Sequence, residues 1–136
     1  MYKRKNVAVL VRTADFERFR NTEQENFKTA FLEDDGTYDD LTNVENYNAN
    51  LVYKNKTTGE LINERTDLTL VTIKDVAWTK RLKWTKAVLK FLKSLNYYEL
   101  SIVNDDNNAT EYFADDYTKQ FPNDGYLRSD VEFRIA

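Results

Sequence analysis

Apolar residues cluster and alternate along the chain in patterns that predict strands separated by helical segments. Residues 6–13, NVAVLVRT, form a β-branched run that is typical of a buried strand. In residues 14–32 phenylalanines recur at helical spacing, which predicts one helix or a broken pair. Residues 34–48, DDGTYDDLTNVENYN, are acidic and rich in turn-forming residues, so we expect an ordered loop or arm there.

The remaining strand patterns lie in the middle and at the end of the chain. Residues 50–58 and 60–74 predict a β-hairpin whose turn contains a glycine, because glycine adopts a positive φ at little cost. Residues 97–103, YYELSIV, predict another strand, and residues 110–117 predict either a short strand or a turn of helix. Residues 127–135, LRSDVEFRI, alternate apolar and polar side chains, which is typical of a strand with one buried face.

The most regular helical pattern spans residues 76–96, with Asp75 placed to cap its start and Asn96 to end it. Its apolar stripe consists of Trp78, Leu82, Thr85, Val88, Leu89, Leu92 and Leu95. Lysines occupy the other side of the same pattern. We therefore expect this helix to bury its indole and leucine side against a sheet and to leave its lysines outside.

Runs of strands with few alternating strand–helix units predict an α+β fold. We expect a mostly antiparallel sheet with one long amphipathic helix (76–96) packed on one face and a second helical segment near 14–32. A chain of 136 residues is long enough for its own core, so we expect a single domain over 1–136.

The chain contains no cysteine and no histidine. This composition excludes a thiolate nucleophile, an imidazole base and a His/Cys metal cage, so we expect that the chain is not an enzyme and holds no cofactor or metal. No apolar run approaches the roughly 18 residues that cross a bilayer, and the run at 7–11 is too short for a signal peptide. We therefore expect the protein in the cytoplasm or in a particle that is assembled there, and not at a membrane.

Charged side chains supply the candidate binding residues, although the net charge is only −3. The cationic candidates are Lys80, Lys83, Lys86, Lys90 and Lys93, and the acidic candidates are Asp34, Asp35, Asp39, Asp40, Asp115 and Asp116. The lysines could contact phosphate, meet a complementary protein surface or only face solvent, and the acidic loops could face solvent or imitate a phosphate backbone. Nine tyrosines and eight phenylalanines indicate either a protein-binding surface or a small core that uses aromatic side chains for bulk.

The C-terminal half of the chain resembles the closing half of tail-terminator (tail-completion) proteins of long-tailed bacteriophages. The resemblance lies in a helix followed by YYELSIV, a polar turn, an aromatic and acidic segment, and DGYLRSDVEFRIA. It implies a small α+β subunit of a ring that caps the tail tube, and it transfers no individual site residue.

Three functions are compatible with these features. The first is an assembly subunit that forms a homo-oligomer, such as a ring-forming component of a phage neck or tail, with the lysines of one subunit meeting acidic loops of the next. The alternative is a small acidic phage or mobile-element inhibitor of a host defence or nucleic-acid-binding enzyme, an anti-CRISPR-like nucleic-acid mimic. The third is a nucleic-acid-binding domain that uses the lysines of 80–93, which the pI of about 5.1 disfavours.

Overall fold

The computed structural model describes residues 4–104, 110–121 and 125–127. The strands are β1 (Arg4–Arg12), β2 (Thr42–Lys54), β3 (Leu61–Ala77), β4 (Glu99–Asn104) and β5 (Thr110–Ala114). The helices are α1 (Thr13–Thr22), α2 (Gln24–Phe31), α3 (Lys83–Lys93) and α4 (Asp116–Gln120). The strands form one sheet in the order β2-β3-β1-β4-β5, and all neighbours in it are antiparallel. The predicted α+β fold with a mostly antiparallel sheet is confirmed.

The central strand β1 is buried on both faces of the sheet. Val7, Val9 and Val11 belong to the core on the helix side, together with residues of α1, α2 and α3. Successive side chains of a strand point to opposite faces, so Ala8 and Leu10 enter a second core on the other side. The β-branched run of this segment therefore reflects a strand that is covered from both sides.

The helix predicted over 76–96 is shorter, because α3 spans only Lys83–Lys93. Strand β3 continues along β1 as far as Ala77, and its register shifts near Asp75. Asp75 has a φ of 55° and its N–H donates to Asn6 Oδ1 at 3.1 Å, so this residue belongs to a β-bulge and does not cap a helix. Pairing with β1 satisfies backbone groups that the first turn of a helix would leave without partners.

The helical layer otherwise follows the predicted pattern. The segment 14–32 forms a broken pair, since Glu23 between α1 and α2 has a φ of −129° and a ψ of 57°. The phenylalanines of α1 and α2 pack on α3, where the rings of Phe19 and Phe91 stack at 4.1 Å between centroids. In α3, Val88 and Leu92 are buried and Leu89 is partly buried, as expected for the apolar side of this helix.

The β2–β3 hairpin is confirmed, and it is longer than predicted. The segment 34–48 is a loop only as far as Leu41, because Thr42 already pairs with Ile73 of β3. This strand was missed because its side chains are mostly polar and exposed, as an edge strand allows. The segment 110–117 contains both a short strand and the start of α4. The strand predicted over 127–135 lies outside the described residues, apart from its first residue.

The far end of this hairpin extends beyond β1, which ends at Arg12 opposite Leu68. We call this two-stranded extension, residues 48–54 and 61–67, the distal hairpin. Leu51 and Tyr53 of the distal hairpin are buried in the second core, and the ring centroids of Tyr53 and Tyr97 are 6.2 Å apart. The distal hairpin is thereby held against the segment that follows α3.

Candidate protein-binding site

The outer side of α3 carries a row of lysines. The row consists of Lys83, Lys86, Lys90 and Lys93, and we call it the basic stripe. All four lysines are exposed, and Lys80 is exposed in the turn before the helix. The basic stripe runs over the eleven residues of α3, which is about 15 Å between its first and last lysine at the rise of an α-helix. Within the described part of the chain, no acidic side chain lies within ion-pair distance of these lysines.

The basic stripe continues onto the turn of the distal hairpin. Lys56 Nζ donates to the carbonyl oxygen of Lys93 at 3.0 Å, and the N–H of Lys56 donates to Asn96 Oδ1 at 3.1 Å. The last carbonyl groups of a helix carry partial negative charge, which favours cations at this end. The structure therefore places the hairpin turn, with Lys54 and Lys56, directly at the C-terminal end of α3.

A groove of about 910 Å³ lies between this turn and α4. We call it the hairpin groove. Its hairpin side carries Lys54, Lys56 and Leu61, and its α4 side carries Asp116, Tyr117 and Phe121. The rings of Tyr117 and Phe121 pack at 4.7 Å between centroids. Leu61 is 56% exposed and Phe121 is 49% exposed, so the groove presents apolar surface beside two cations.

A charged cluster at the end of β1 fixes the position of the distal hairpin. Arg12 Nε lies 3.2 Å from Glu64 Oε1, and the same oxygen accepts a hydrogen bond from Tyr53 OH at 3.0 Å. The guanidinium also lies 3.6 Å from buried Asp15. Burial, together with the hydrogen bond to Glu64, raises the pKa of Tyr53 to about 12. This cluster was not anticipated, because its members lie on three separate segments.

The acidic residues after α2 lie in an exposed loop, which we call the acidic loop (33–41). Asp35 Oδ1 accepts hydrogen bonds from both the N–H and the hydroxyl of Thr37, and these bonds lower the pKa of Asp35. Asp39 Oδ1 accepts from the N–H of Leu41 at 2.7 Å, which lowers the pKa of Asp39. Asp34 and Asp40 are exposed in the same loop. The structure thus brings four of the six acidic candidates together.

Asp115 and Asp116 differ from those four. Asp115 is 3% exposed and caps α4, with Oδ2 accepting from the N–H of Thr118 at 3.2 Å and Oδ1 from the N–H of Tyr98 at 3.4 Å. Burial raises the pKa of Asp115 above its ordinary value. Asp115 therefore stabilises the fold and is almost fully buried, whereas Asp116 is exposed.

Sequence reasoning missed a buried carboxylate, that of Glu99, which is fully shielded from solvent. Oε1 accepts from Tyr112 OH at 2.6 Å and from the N–H of Leu127 at 2.8 Å. Oε2 accepts from the N–H of Tyr126 at 2.8 Å and from Tyr97 OH. Burial and the neighbouring carboxylate raise the pKa of Tyr97 well above its ordinary value. Glu99 thereby fastens residues 126–127 to the sheet.

Two features that the described residues lack bear on the class of site. Residues 4–104, 110–121 and 125–127 contain no group of three or more acidic side chains arranged to hold a metal ion. Among the helices in that part of the chain, none has the length and apolar character needed to cross a membrane.

The comparisons with known proteins identify no family. No family model and no curated protein matches the chain. One solved structure that the chain resembles is a phage SAM lyase in complex with S-methyl-5'-thioadenosine. The two sequences are 12% identical, the match covers 86% of this chain and 94% of the other, and the TM-score is 0.45.

This comparison corrects one prediction of the sequence analysis. The absence of cysteine and histidine led to the prediction that the chain is not an enzyme, yet the protein in the resembling structure is an enzyme. A composition without these residues excludes some chemistries and leaves others open, so the general prediction was wrong. At a TM-score of 0.45 the likeness assigns no activity, substrate or residue to this chain.

Proposed function

We propose that this protein binds other protein subunits and assembles head-to-tail with further copies of itself. The observation that carries the proposal is the separation of exposed charge into the basic stripe and the acidic loop. Four lysines lie on one side of α3, four aspartates lie in the loop after α2, and none of the ion pairs of the described residues joins the two sets. Complementary surfaces of this kind direct the encounter and the register of two proteins.

The arrangement favours a contact between different surfaces of successive copies. A contact that joins two unlike surfaces closes a ring when the rotation between copies permits it, and otherwise extends into a filament. A ring-forming component of a phage neck or tail, the role implied by the resemblance of the C-terminal half, is the finer form of this proposal. The acidic loop of one subunit would then meet the lysines of the next.

The proposal is tested by measuring the molar mass of the purified protein with size-exclusion chromatography and light scattering over a range of concentrations. We expect oligomers at about 0.1 M salt and weaker association at about 1 M salt, since the Debye length falls from about 10 Å to about 3 Å between these conditions. A protein that remains monomeric at every concentration and salt level would overturn the proposal.

The role of the basic stripe is tested by a charge-removing variant and a charge-keeping control. Lys83→Gln, Lys86→Gln, Lys90→Gln and Lys93→Gln together should preserve the unfolding midpoint and weaken association at least about tenfold, or about 1.4 kcal/mol. The corresponding fourfold substitution to arginine keeps the charge and should assemble as the wild type does. Equal association of the glutamine variant and the wild type would show that the basic stripe has no part in assembly.

A further inference from the structure

The hairpin groove has the features of a docking surface for a small apolar side chain with acidic neighbours. Its apolar part is the exposed faces of Leu61 and Phe121, the latter supported by Tyr117 at 4.7 Å. Its hairpin side carries Lys54 and Lys56. A ligand that fills this groove would cover an aromatic ring and an isobutyl group, and it would place negative charge toward the turn of the distal hairpin and away from Asp116 on the α4 side.

A second copy of the chain presents a segment with this chemistry. In the acidic loop, Asp39 and Asp40 are exposed and are followed directly by Leu41, which is 47% exposed. The segment is held in a tight turn, because Asp39 accepts the N–H of Leu41 on its side chain at 2.7 Å and the N–H of Thr42 on its carbonyl oxygen at 2.9 Å. A preorganised segment loses little conformational entropy on binding.

We propose that the hairpin groove of one copy receives the 39–41 corner of a second copy, with Leu41 against Phe121 and Leu61 and with the two carboxylates near Lys54 and Lys56. This inference rests on the proposed self-assembly and names the surfaces that make the contact. The basic stripe ends beside the groove at Lys93, since Lys56 Nζ binds the carbonyl oxygen of that residue. The stripe therefore adds positive charge along the approach of the acidic loop.

The two surfaces cannot meet within one chain. The 39–41 corner directly precedes the start of β2 at Thr42, and the hairpin groove begins at the other end of the same strand, at Lys54. A strand of 13 residues spans about 40 Å. The contact is accordingly between unlike surfaces of different copies, which gives a head-to-tail assembly.

The experiment uses one variant for each surface. Phe121→Asp places a carboxylate in the groove, and Leu41→Asp places one at the corner. Phe113→Asp is the matched control, because Phe113 is a 40% exposed phenylalanine on β5 that does not line the groove. Circular dichroism first establishes that each variant has the secondary structure and the unfolding midpoint of the wild type.

We expect each of the two surface variants to be monomeric alone and the control to assemble as the wild type does. An equimolar mixture of the two monomeric variants should form a 1:1 dimer of twice 16.1 kDa, because one intact corner and one intact groove remain. Milder variants, Phe121→Ala and Leu41→Ala, should weaken self-association about tenfold or more, with Phe113→Ala as their control.

The failures of the two proposals are distinguishable. A wild type that stays monomeric overturns self-assembly itself and the groove contact with it. If the wild type assembles but the surface variants assemble equally well, only the groove contact is overturned. The same holds if the wild type assembles and the mixture of the two variants stays monomeric. A labelled single-stranded oligonucleotide at about 50 mM salt provides a further test, because electrostatic binding of nucleic acid is strong at low salt. If the wild type binds the oligonucleotide and Phe121→Ala does not, the groove serves a nucleic acid and the groove contact is overturned.

Discussion

Substitution of Glu99 by glutamine tests the buried carboxylate that fastens residues 126–127 to the sheet. The carboxylate accepts four hydrogen bonds, two of them from the backbone N–H groups of Tyr126 and Leu127. A phenolic hydroxyl can rotate and accept a hydrogen bond, but a backbone N–H cannot. Because each carboxylate oxygen faces one of these N–H groups, either orientation of the glutamine amide directs its NH₂ group at a donor.

The expected loss of stability follows from this mismatch. A buried donor that loses its partner costs about 1–3 kcal/mol, and the remaining hydrogen bonds lose the contribution of the charge, about 1 kcal/mol each. Glutamine also removes the cost of burying a carboxylate, which offsets part of this loss. We therefore expect Glu99→Gln to lower the free energy of unfolding by about 2 kcal/mol net, or the midpoint by about 7 °C for a chain of this length.

Urea denaturation followed by circular dichroism measures this difference. Glu111→Gln is the matched control, because Glu111 lies exposed on the neighbouring strand β5 and should change stability by less than about 0.5 kcal/mol. If Glu99→Gln were as stable as this control, the four hydrogen bonds to the carboxylate would contribute nothing net, and our account of the 126–127 attachment would fail.

Two further predictions concern the α3 core and the distal hairpin. Leu92→Ala should lower the free energy of unfolding by about 2–5 kcal/mol and Leu89→Ala by less, because Leu92 is 1% exposed and Leu89 is only partly buried. Urea denaturation measures both losses, and equal losses would contradict this assignment. Tyr53 should ionise near pH 12 in the folded protein, so Tyr53→Phe should remove a high-pH component from an ultraviolet titration. Because the folded pKa lies above the unfolded value near 10, this group stabilises the fold less as the pH rises beyond 10.

The local patterns that were predicted correctly are those in which neighbours along the chain decide the structure. The β-branched run of β1, the phenylalanine spacing of α1 and α2, and the apolar side of α3 are each visible in a short stretch of sequence. The same reasoning placed the lysines outside, because a helix with one buried side leaves the other to solvent. Local patterns therefore predict the helices and strands and most of their buried and exposed sides. They do not predict which of these helices and strands pack against each other.

The errors occurred where pairing between distant segments overrides local preference. Asp75 has the sequence features of a helix cap, but strand pairing with β1 continues past it and delays the helix to Lys83. The polar segment from Thr42 has no apolar periodicity, yet pairing with β3 makes it a strand. Asp115 resembled a surface acid, and its burial follows from the way α4 closes on the segment that precedes β4.

By itself the sequence determined the α+β class and the amphipathic helix. It also excluded the chemistries that require histidine or cysteine. Only the tertiary structure decided that the turn of the distal hairpin lies at the end of α3, and that Glu99 is the acceptor for four donors. The physical reason is that periodicity is a property of adjacent residues. A groove or a buried carboxylate depends instead on groups brought together from segments far apart in the chain, and the position of each is fixed only when the sheet has formed.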